Sequence, residues 1–517
     1  MPTGGRIPAV RLRVCGPSVV ALAALLITVA TCHAAVNVRD FGARGDGKAD
    51  DAKAIAAAIE AVKGGGSVDF PEGDYLLGVP AQPGAFLHVP SGVSLIGHGR
   101  ARLLSTNKTI LLMAVGAQDV RIQNLRFQSP GQAFYLENDT NLTITGCEFA
   151  DHQPMAIFGK RCSEVDVTDC RFTGSAYGFY LPKAIRWRIS RNRIETTGRG
   201  MELQAPERCQ ITENLIQGKG KAIVGILVFP SNDFSLGGGS GVFNLIANNE
   251  VNDMTEEAIS FDCRGNDPKW YWRTGGAVAS ATENSVRLKD AVLEDVKRCP
   301  GSHLAIYAGT GAGQFALVDS VESDALKIRG RWQVIPDETS RVAVVNGFEG
   351  NQIIGNRVQR SATGICLWGS SFQCQVIGNT LSDCTGSPVA AFGLHLSGYK
   401  DAMGASYPTL APCWYNQIHS NTILPAVGKP DQVMIALGYQ TYPKTVPYPF
   451  TNYGNSVRGN TVFGAPVAVD MSNQTQAEVV GNTLASCGTA IRLDATCKDC
   501  LIEPNTLIGC AAAIAKP

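Results

Sequence analysis

The chain has 517 residues, is 44% hydrophobic and only 17% charged, and balances Lys+Arg against Asp+Glu at 45 each. Such a composition can bury a large core. It excludes the polybasic field that would hold nucleic acid or an anionic membrane. Gly is abundant at 56 residues, and helical periodicity nearly vanishes after Val62, a pattern that points to turn-rich β structure.

Residues 1–35 read as a secretory signal peptide: Arg6, Arg11 and Arg13 precede an apolar run from Val19 to Ala30, and Ala34 and Ala35 follow. The expected location is secreted or periplasmic. The alternative is an outer-membrane lipoprotein attached through Cys32, although Thr31 is unusual before a lipid-bearing cysteine. No other stretch has the ~18 apolar residues of a membrane span. Of 16 cysteines, Cys15 and Cys32 leave with the signal, and the even remainder in an oxidising compartment predicts some disulfides. Cys497-Lys498-Asp499-Cys500 has no second paired cluster near it, so it reads as structural rather than as a zinc or redox motif.

Next, Val36 to Asp51 leads into a helix with Ile55, Ile59 and Val62 on one face and Asp50 as its expected N-cap. Such a helix suits the open end of a stack of strands. A repeat then begins. An Asn, sometimes Cys, followed two positions later by an aliphatic residue or Phe recurs at Asn124, Cys147, Cys170, Asn192, Asn214, Asn249, Asn356, Asn379, Asn421, Asn460, Asn482 and Asn505. The base period is 22 to 23 residues, with four enlarged intervals. Stacked amides bonding from coil to coil explain the Asn column. Cys147 with Cys170, and Cys487 with Cys510, share repeat positions, and strands ~4.8 Å apart would bring each pair within disulfide reach.

Each coil also carries a five-residue strand, starting at Ala133, Ala156, Gly178, Gly200, Gly225, Ala258, Gly364, Ala391, Val433, Pro466 and Ala490. Second and fourth positions should face the core, third and fifth the outside. The expected fold is therefore all-β: a right-handed parallel β-helix over 36–517 with an N-terminal capping helix, since each coil hides its apolar side only by stacking. The interval 264–349 reads as a β-rich insertion, with β-like runs at Ser285–Leu288, His303–Ala308, Gln314–Val318 and Ala325–Arg329.

Val36 to Asp51, together with Gly64 to Tyr75, resembles the opening segment of the pectate-lyase-like superfamily of secreted right-handed parallel β-helix proteins, which includes polysaccharide hydrolases, lyases and phage tailspikes. That resemblance implies secreted carbohydrate chemistry rather than one reaction. The polygalacturonase pattern is absent: Gly97-His98-Gly99 lies before the repeat, and Asp50-Asp51 belongs to the opening segment. No catalytic residue is carried over from it.

Four additions, Pro230–Phe243, Arg264–Glu349, Leu396–Tyr415 and Gly438–Tyr453, leave the same edge of one sheet and should wall a groove from Glu202 to about Asp470. Outward positions carry Glu137, Lys160, Glu202, Asp262, His395, Asp470, Arg492 and Asp494. Of these, Glu202, Asp262 and His395 lie within the elaborated stretch. Glycoside hydrolysis needs two carboxyl groups, so Asp262 and Glu202 are the expected catalytic pair, with His395 orienting substrate or moving a proton. Two coils separate the carboxylates, roughly 9 to 10 Å along the axis, near the ~6.5 to 9.5 Å spacing of inverting enzymes. Asp233, Asp253, Glu256, Glu257 and Asp267 lie near the same coils. Trp368, Trp270, Trp272, Tyr399 and Tyr439 offer faces for sugar stacking. Tyr180, Gln204, Phe229 and Arg264 complete the expected substrate contacts.

The leading reading is a polysaccharide-degrading glycoside hydrolase without cofactor. A second is a lyase or epimerase on a uronate polymer, in which Lys160, Lys221, Arg264, His395 or Lys400 removes a proton and Ca²⁺ would assist. A third is a non-catalytic glycan-binding surface protein. The partner in all three is a polysaccharide, and nothing in the sequence sets an oligomeric state.

Overall fold

The computed structural model describes residues 34–231, 239–263, 271–396, 409–442 and 450–515. The expected signal peptide lies outside them, apart from Ala34 and Ala35. These two open a strand, Ala34–Asn37, that pairs in parallel with Gly66–Asp69. From there the chain winds as a right-handed parallel β-helix. Among the described residues it builds a 14-stranded sheet, a 28-stranded sheet and a short 4-stranded sheet.

The first coil is closed by helix α1 (Ala52–Ala61), which buries Ile55 and Ile59, with Val62 just beyond its end. Its N-cap is Asp51, one residue later than expected. The Asp51 carboxylate instead accepts the Arg44 and Gly45 N–H groups at 2.7 and 3.0 Å. Asp50 accepts from Ala52 at 3.1 Å, from Gly78 at 2.9 Å and from Val79 at 3.0 Å. Asp51 thus ties the opening loop to the start of the helix, and Asp50 ties it to the next coil.

Inside, side chains stack coil on coil. Phe127, Phe149 and Phe172 form a column with ring centroids 5.4 and 4.6 Å apart. Small residues at strand starts are required by backbone approach: a Cβ on Gly200 would lie 2.4 Å from the Gly225 carbonyl oxygen, and one on Gly225 2.5 Å from that of Ala258.

The Asn column is a continuous amide ladder. At each step from Asn192 to Asn482, the Oδ1 of the next Asn accepts both the backbone and the side-chain N–H of the one before, as in Asn356 onto Asn379 at 2.8 and 3.0 Å. The same side chain donates its other N–H to a carbonyl of the preceding coil, Ile246 in the case of Asn356, at 2.9 Å. Asn124 is not a member. Its neighbour Leu125 fills that position, because Phe127 registers with Phe149 and Leu125 therefore with Cys147. A second ladder, hidden from the repeat count, runs five residues earlier through Cys209, Asn244, Asn351, Cys374, Asn416 and Asn455.

The fourteen cysteines between Cys147 and Cys510 are all thiols, so the expected disulfides are absent. Cys147 and Cys170 occupy ladder positions and behave as buried hydrogen-bonding groups: the Cys147 N–H points at the Cys170 sulfur at 3.4 Å, and the Cys170 N–H at Asn192 Oδ1 at 2.9 Å.

Between the coils ending at Asp262 and beginning again near Phe348, the chain folds a closed barrel of its own. Its strands are β1 (Trp272–Thr282), β2 (Ser285–Leu288), β3 (His303–Ala308), β4 (Phe315–Glu322), β5 (Ala325–Ile328) and β6 (Arg341–Val345). They close in the order β1-β2-β5-β4-β3-β6. Val278, Val286, Leu304, Ile306, Val318 and Val342 fill a core separate from that of the helix.

Truncating Asn356 to Ala leaves the Asn249 backbone and side-chain N–H groups without their acceptor, and the Ile246 carbonyl without its donor. With ~1 to 3 kcal/mol per stranded buried group and partial relaxation, Asn356→Ala should cost about 3 kcal/mol, read from the urea midpoint at constant m-value. An unchanged midpoint would show the ladder to be ornamental.

Candidate functional site

Strand register arranges the outward side chains in rows. One row runs Tyr135, Phe158, Tyr180, Glu202, Leu227 and continues Ser260, Cys366, Ala390, Ala436, Asp470, Arg492. A second, two residues on, includes Glu137 and Lys160, then Pro182, Gln204 and Phe229, and later Asp262, Trp368 and Phe392. A third, at the strand starts, holds Tyr177, Arg199 and Val224, with Glu257 beside Thr363.

The register corrects three of the eleven expected strand frames, those begun at Ala391, Val433 and Pro466; in the last, Val469 rather than Val467 aligns with Ile491. Ile365 pairs with Val389, not with Phe392, and Val389 pairs with Ile435. The inward positions are thus Val389, Ala391, Ile435 and Leu437, because Val389 and Ala391 fit the narrow core while Phe392 stands outside over Trp368. His395 consequently leaves the outward row that carries Asp262. It lies three residues beyond Phe392, paired antiparallel with Leu410, and is buried with Nδ1 3.3 Å from the Thr409 carbonyl oxygen and its ring edge-on to Phe450 at 5.4 Å. Burial lowers its pKa, so the imidazole is held neutral.

Glu202 and Asp262 do not face each other across one row. They sit two coils apart and two residues apart along the strand, roughly 12 Å between backbone positions. Between them the coil at Val224–Phe229 turns an apolar surface outward, where Val224, Leu227 and Phe229 form a cluster of their own. Phe229 is 0% exposed, so it packs rather than meeting substrate. Glu202, 4% exposed, forms an ion pair with Arg199, whose guanidinium also lies over the Tyr177 ring at 5.7 Å. Gln204 donates its amide N–H to the Tyr180 hydroxyl, so these two expected substrate contacts hold one another.

Upstream, Tyr135, Phe158 and Tyr180 form a partly exposed aromatic ridge over three coils, with centroids 5.0 and 5.6 Å apart. Beside it, Glu137 accepts from the Tyr135 hydroxyl at 2.6 Å and pairs with Lys160 and Arg161, each at 3.0 Å. The Tyr135 and Lys160 hydrogen bonds hold its pKa down at about 2. At the far end Asp470 is locked bidentately by Arg492 at 2.8 Å. These carboxylates are structural anions.

Glu257 is different. It starts the strand that ends in Asp262, and burial, reinforced by the charges of Asp262 and Glu256, raises its pKa to about 7. The sequence placed Glu257 only among the acidic residues near the same coils. The signal that distinguishes it is its place at the first position of a strand rather than in the preceding turn. Cys366, on the next coil, feels Glu257 and Asp262 as well, and burial with those charges drives its thiol pKa far upward, leaving it an inert neutral group. Trp368 lies directly beside Asp262 with a buried indole N–H that makes no hydrogen bond among the described residues. Trp272 opens barrel strand β1 against Val345 and packs on the main core, while Tyr439 is exposed on the strand beyond Gly438. Arg264, Trp270 and Tyr399 lie outside the described residues, as do Asp233, Asp267 and Lys400.

The barrel and the strand Thr409–Ala411 wall one side of this region. Thr409–Ala411 pairs with the strand carrying Phe392 and touches β1 and β6, and Tyr307 of β3 meets Phe450 edge-on at 4.8 Å.

Residues 110–261 match the family model described as a right handed beta helix region, and residues 35–109 match one described as rhamnogalacturonase A/epimerase, pectate lyase-like. Alginate lyase 7 of Azotobacter vinelandii is 36% identical over 114 residues, 21% of this chain and 12% of that protein. Mannuronan C5-epimerase AlgE4 of the same organism is 47% identical over 66 residues, 12% of each. The chain thus spans about an eighth of the length of these relatives. A mutant tailspike protein of E. coli bacteriophage HK620 superposes with a TM-score of 0.54 at 13% identity, covering 92% of this chain and 77% of that one, a likeness of fold.

Because the raised pKa of Glu257 comes from folding, it changes stability with pH. Below the ordinary 4.5 of a free glutamate the carboxyl is neutral folded and unfolded alike, and its contribution is fully present. That contribution is lost as pH rises towards about 7, by about 3 kcal/mol in all. Glu257→Gln should therefore match the parent in denaturant midpoint at pH 4 and exceed it at pH 8. Equal midpoints at both values would show that Glu257 ionises normally.

Proposed function

We propose that the chain is an exported enzyme that cleaves a polysaccharide lying across the outward rows, with Glu257 as general acid and Asp262 as its carboxylate partner. The observation that carries this reading is the pKa of about 7 at Glu257, raised by burial and by the charge of Asp262 at the other end of the same strand. A carboxyl group that keeps its proton near neutrality, with a second carboxylate on the same strand, supplies the acid and the base that glycosidic cleavage needs. Glu257 gives its proton to the glycosidic oxygen as the bond to the anomeric carbon breaks. Asp262 takes a proton from the water that attacks that carbon, so the charges exchange and the products are two shorter sugars.

Five residues of strand, roughly 16 Å of backbone, separate the pair. The side chains must therefore lean towards one another to reach the ~6.5 to 9.5 Å of an inverting pair, and the spacing rules out the closer ~5 to 5.5 Å of a retaining one. Trp368 beside Asp262, and the Tyr135–Phe158–Tyr180 ridge, supply apolar faces for sugar C–H groups. Glu202 and Arg199 fix the floor between ridge and acids.

The identity to an alginate lyase and a mannuronan C5-epimerase favours a second reading, elimination or epimerisation on a uronate polymer. Its base among the described residues would be neutral His395 or exposed Lys221, since Lys160 is committed to Glu137. Ca²⁺ would enter only with this reading; among the described residues no three His, Cys, Asp or Glu side chains converge on one point.

Incubating the protein with neutral and acidic polysaccharides, while following reducing ends and unsaturated-uronate absorbance together, separates the readings. Hydrolysis predicts reducing ends without unsaturation, and a fall of about 10² to 10⁴ in kcat for both Asp262→Asn and Glu257→Gln. Unsaturated products with activity retained in Asp262→Asn would move the chemistry to His395 or Lys221. The pH profile is a further check. Activity should fall as pH rises through about 7, where Glu257 loses its proton, and Glu257→Gln should lose that limb along with its rate.

A further inference from the structure

A cleft of about 530 Å³ lies on a different side of the coils from the outward rows, between the barrel and the short sheet that carries Phe243, Glu349 and Tyr415. Its size falls within the ~300 to 1,000 Å³ of small-molecule sites. The walls are fixed to each other. Phe315 of β4 stacks on Phe372 at 4.6 Å and on Tyr415 at 6.2 Å, and the Tyr415 hydroxyl donates to the Gly313 carbonyl at 2.8 Å. His303 of β3 meets Glu349 at 3.1 Å. The cleft is therefore pre-formed and needs no closure.

Its lining joins two kinds of group. Phe315, Trp332 and Tyr415 present ring surface, and Phe243 is 43% exposed at the mouth. Arg329 and Arg331 stand on the rim with side chains 63% and 79% exposed. Each has one acidic neighbour, Asp319 at 3.4 Å for Arg329 and Glu283 at 3.7 Å for Arg331, but pairs through a single nitrogen, and the exposure leaves the other guanidinium donors facing water. The one carboxylate in the lining, Glu349, is already engaged. Burial opposes its ionisation, but the His303 hydrogen bond and charge, with the charge of Arg329, hold its pKa below the ordinary value. The cleft thus offers aromatic faces and two open cations.

We propose that this cleft is a second, non-catalytic carbohydrate site that takes a short uronate-bearing stretch of glycan. Arg329 and Arg331 hold sugar carboxylates in bidentate fashion, and Phe243, Phe315 and Tyr415 pack against sugar C–H faces. The inference rests on the reading of the chain as a polysaccharide-acting protein, and adds that the polymer is acidic and is gripped away from the cleaving acids. A grip one side of the coil away raises the local concentration of chain at the acids without occupying them.

The test uses the whole protein, the Arg329→Gln/Arg331→Gln double variant and Phe243→Ala, titrated calorimetrically with oligomannuronate, oligogalacturonate and a neutral glucan oligomer. Because all three side chains are exposed, melting curves should match the parent. The expected result is binding of an acidic oligomer, weakened at least tenfold in the double variant and severalfold in Phe243→Ala, with Kd rising steeply with salt. Cleavage of short oligomers should be unchanged in both. Binding by the double variant within twofold of the parent, or tightest binding to the neutral oligomer, would overturn the proposal. Cleavage by the parent with such unaltered binding would sink this site alone. Arginine-dependent binding without cleavage of any polymer would leave this site standing and reject the catalytic reading.

Discussion

The structure depends on stacking coils in one register, and the side-chain amide is the group that enforces it. An asparagine offers one acceptor oxygen and two N–H donors, enough to receive the N–H groups of the coil before it, donate to the coil after it and satisfy a carbonyl of the preceding coil. A shift by one residue would strand all of these inside the protein. The two ladders, five residues apart, clamp both ends of the same short strand. Where Asn gives way to Leu125, Cys147 or Cys170, the chain has replaced amides with groups that pack, and large aromatic columns at Phe127, Phe149 and Phe172 carry the register instead.

A stack clamped in this way tolerates long interruptions. The ladder bonds from Asn249 to Asn356 across 107 residues with the same geometry as those across 22 or 23, since the cost of closing a longer loop grows only slowly with its length. The barrel removes even that cost by folding around its own core, and is rooted through His303 and Phe315 on Phe372. Its position beside the coils of Asp262 and Trp368 makes the insertion a wall on one side and a cleft on another.

Along the outward rows, charge separates scaffold from site. Glu137 is surrounded by a phenol and two cations and Asp470 by a guanidinium, so both are fixed anions. Glu257 is acted on by burial and by two negative neighbours, which favours the protonated acid near neutrality. Glu202 resembles the first group, since Arg199 neutralises it within the floor. The same residue type on the same face thus has opposite consequences, decided by whether a cation or another carboxylate stands beside it.

The repeat made the fold legible, because a period of 22 to 23 residues in Asn and small-residue strand starts has few other physical solutions. It also located the elaborated coils and the strands within the insertion at Ser285–Leu288 and His303–Ala308. It misplaced His395 and Asn124, since alternation alone cannot tell Phe392-in from Phe392-out when both frames offer apolar residues. It saw one ladder and missed the second, whose members alternate Asn with Cys. What the sequence by itself determined was therefore the coil, its period and the candidate carboxylates, because these follow from local patterns that repeat. What only the tertiary structure decided was which carboxylate keeps a proton and which side chains share a row, because burial and strand pairing are both supplied by other coils.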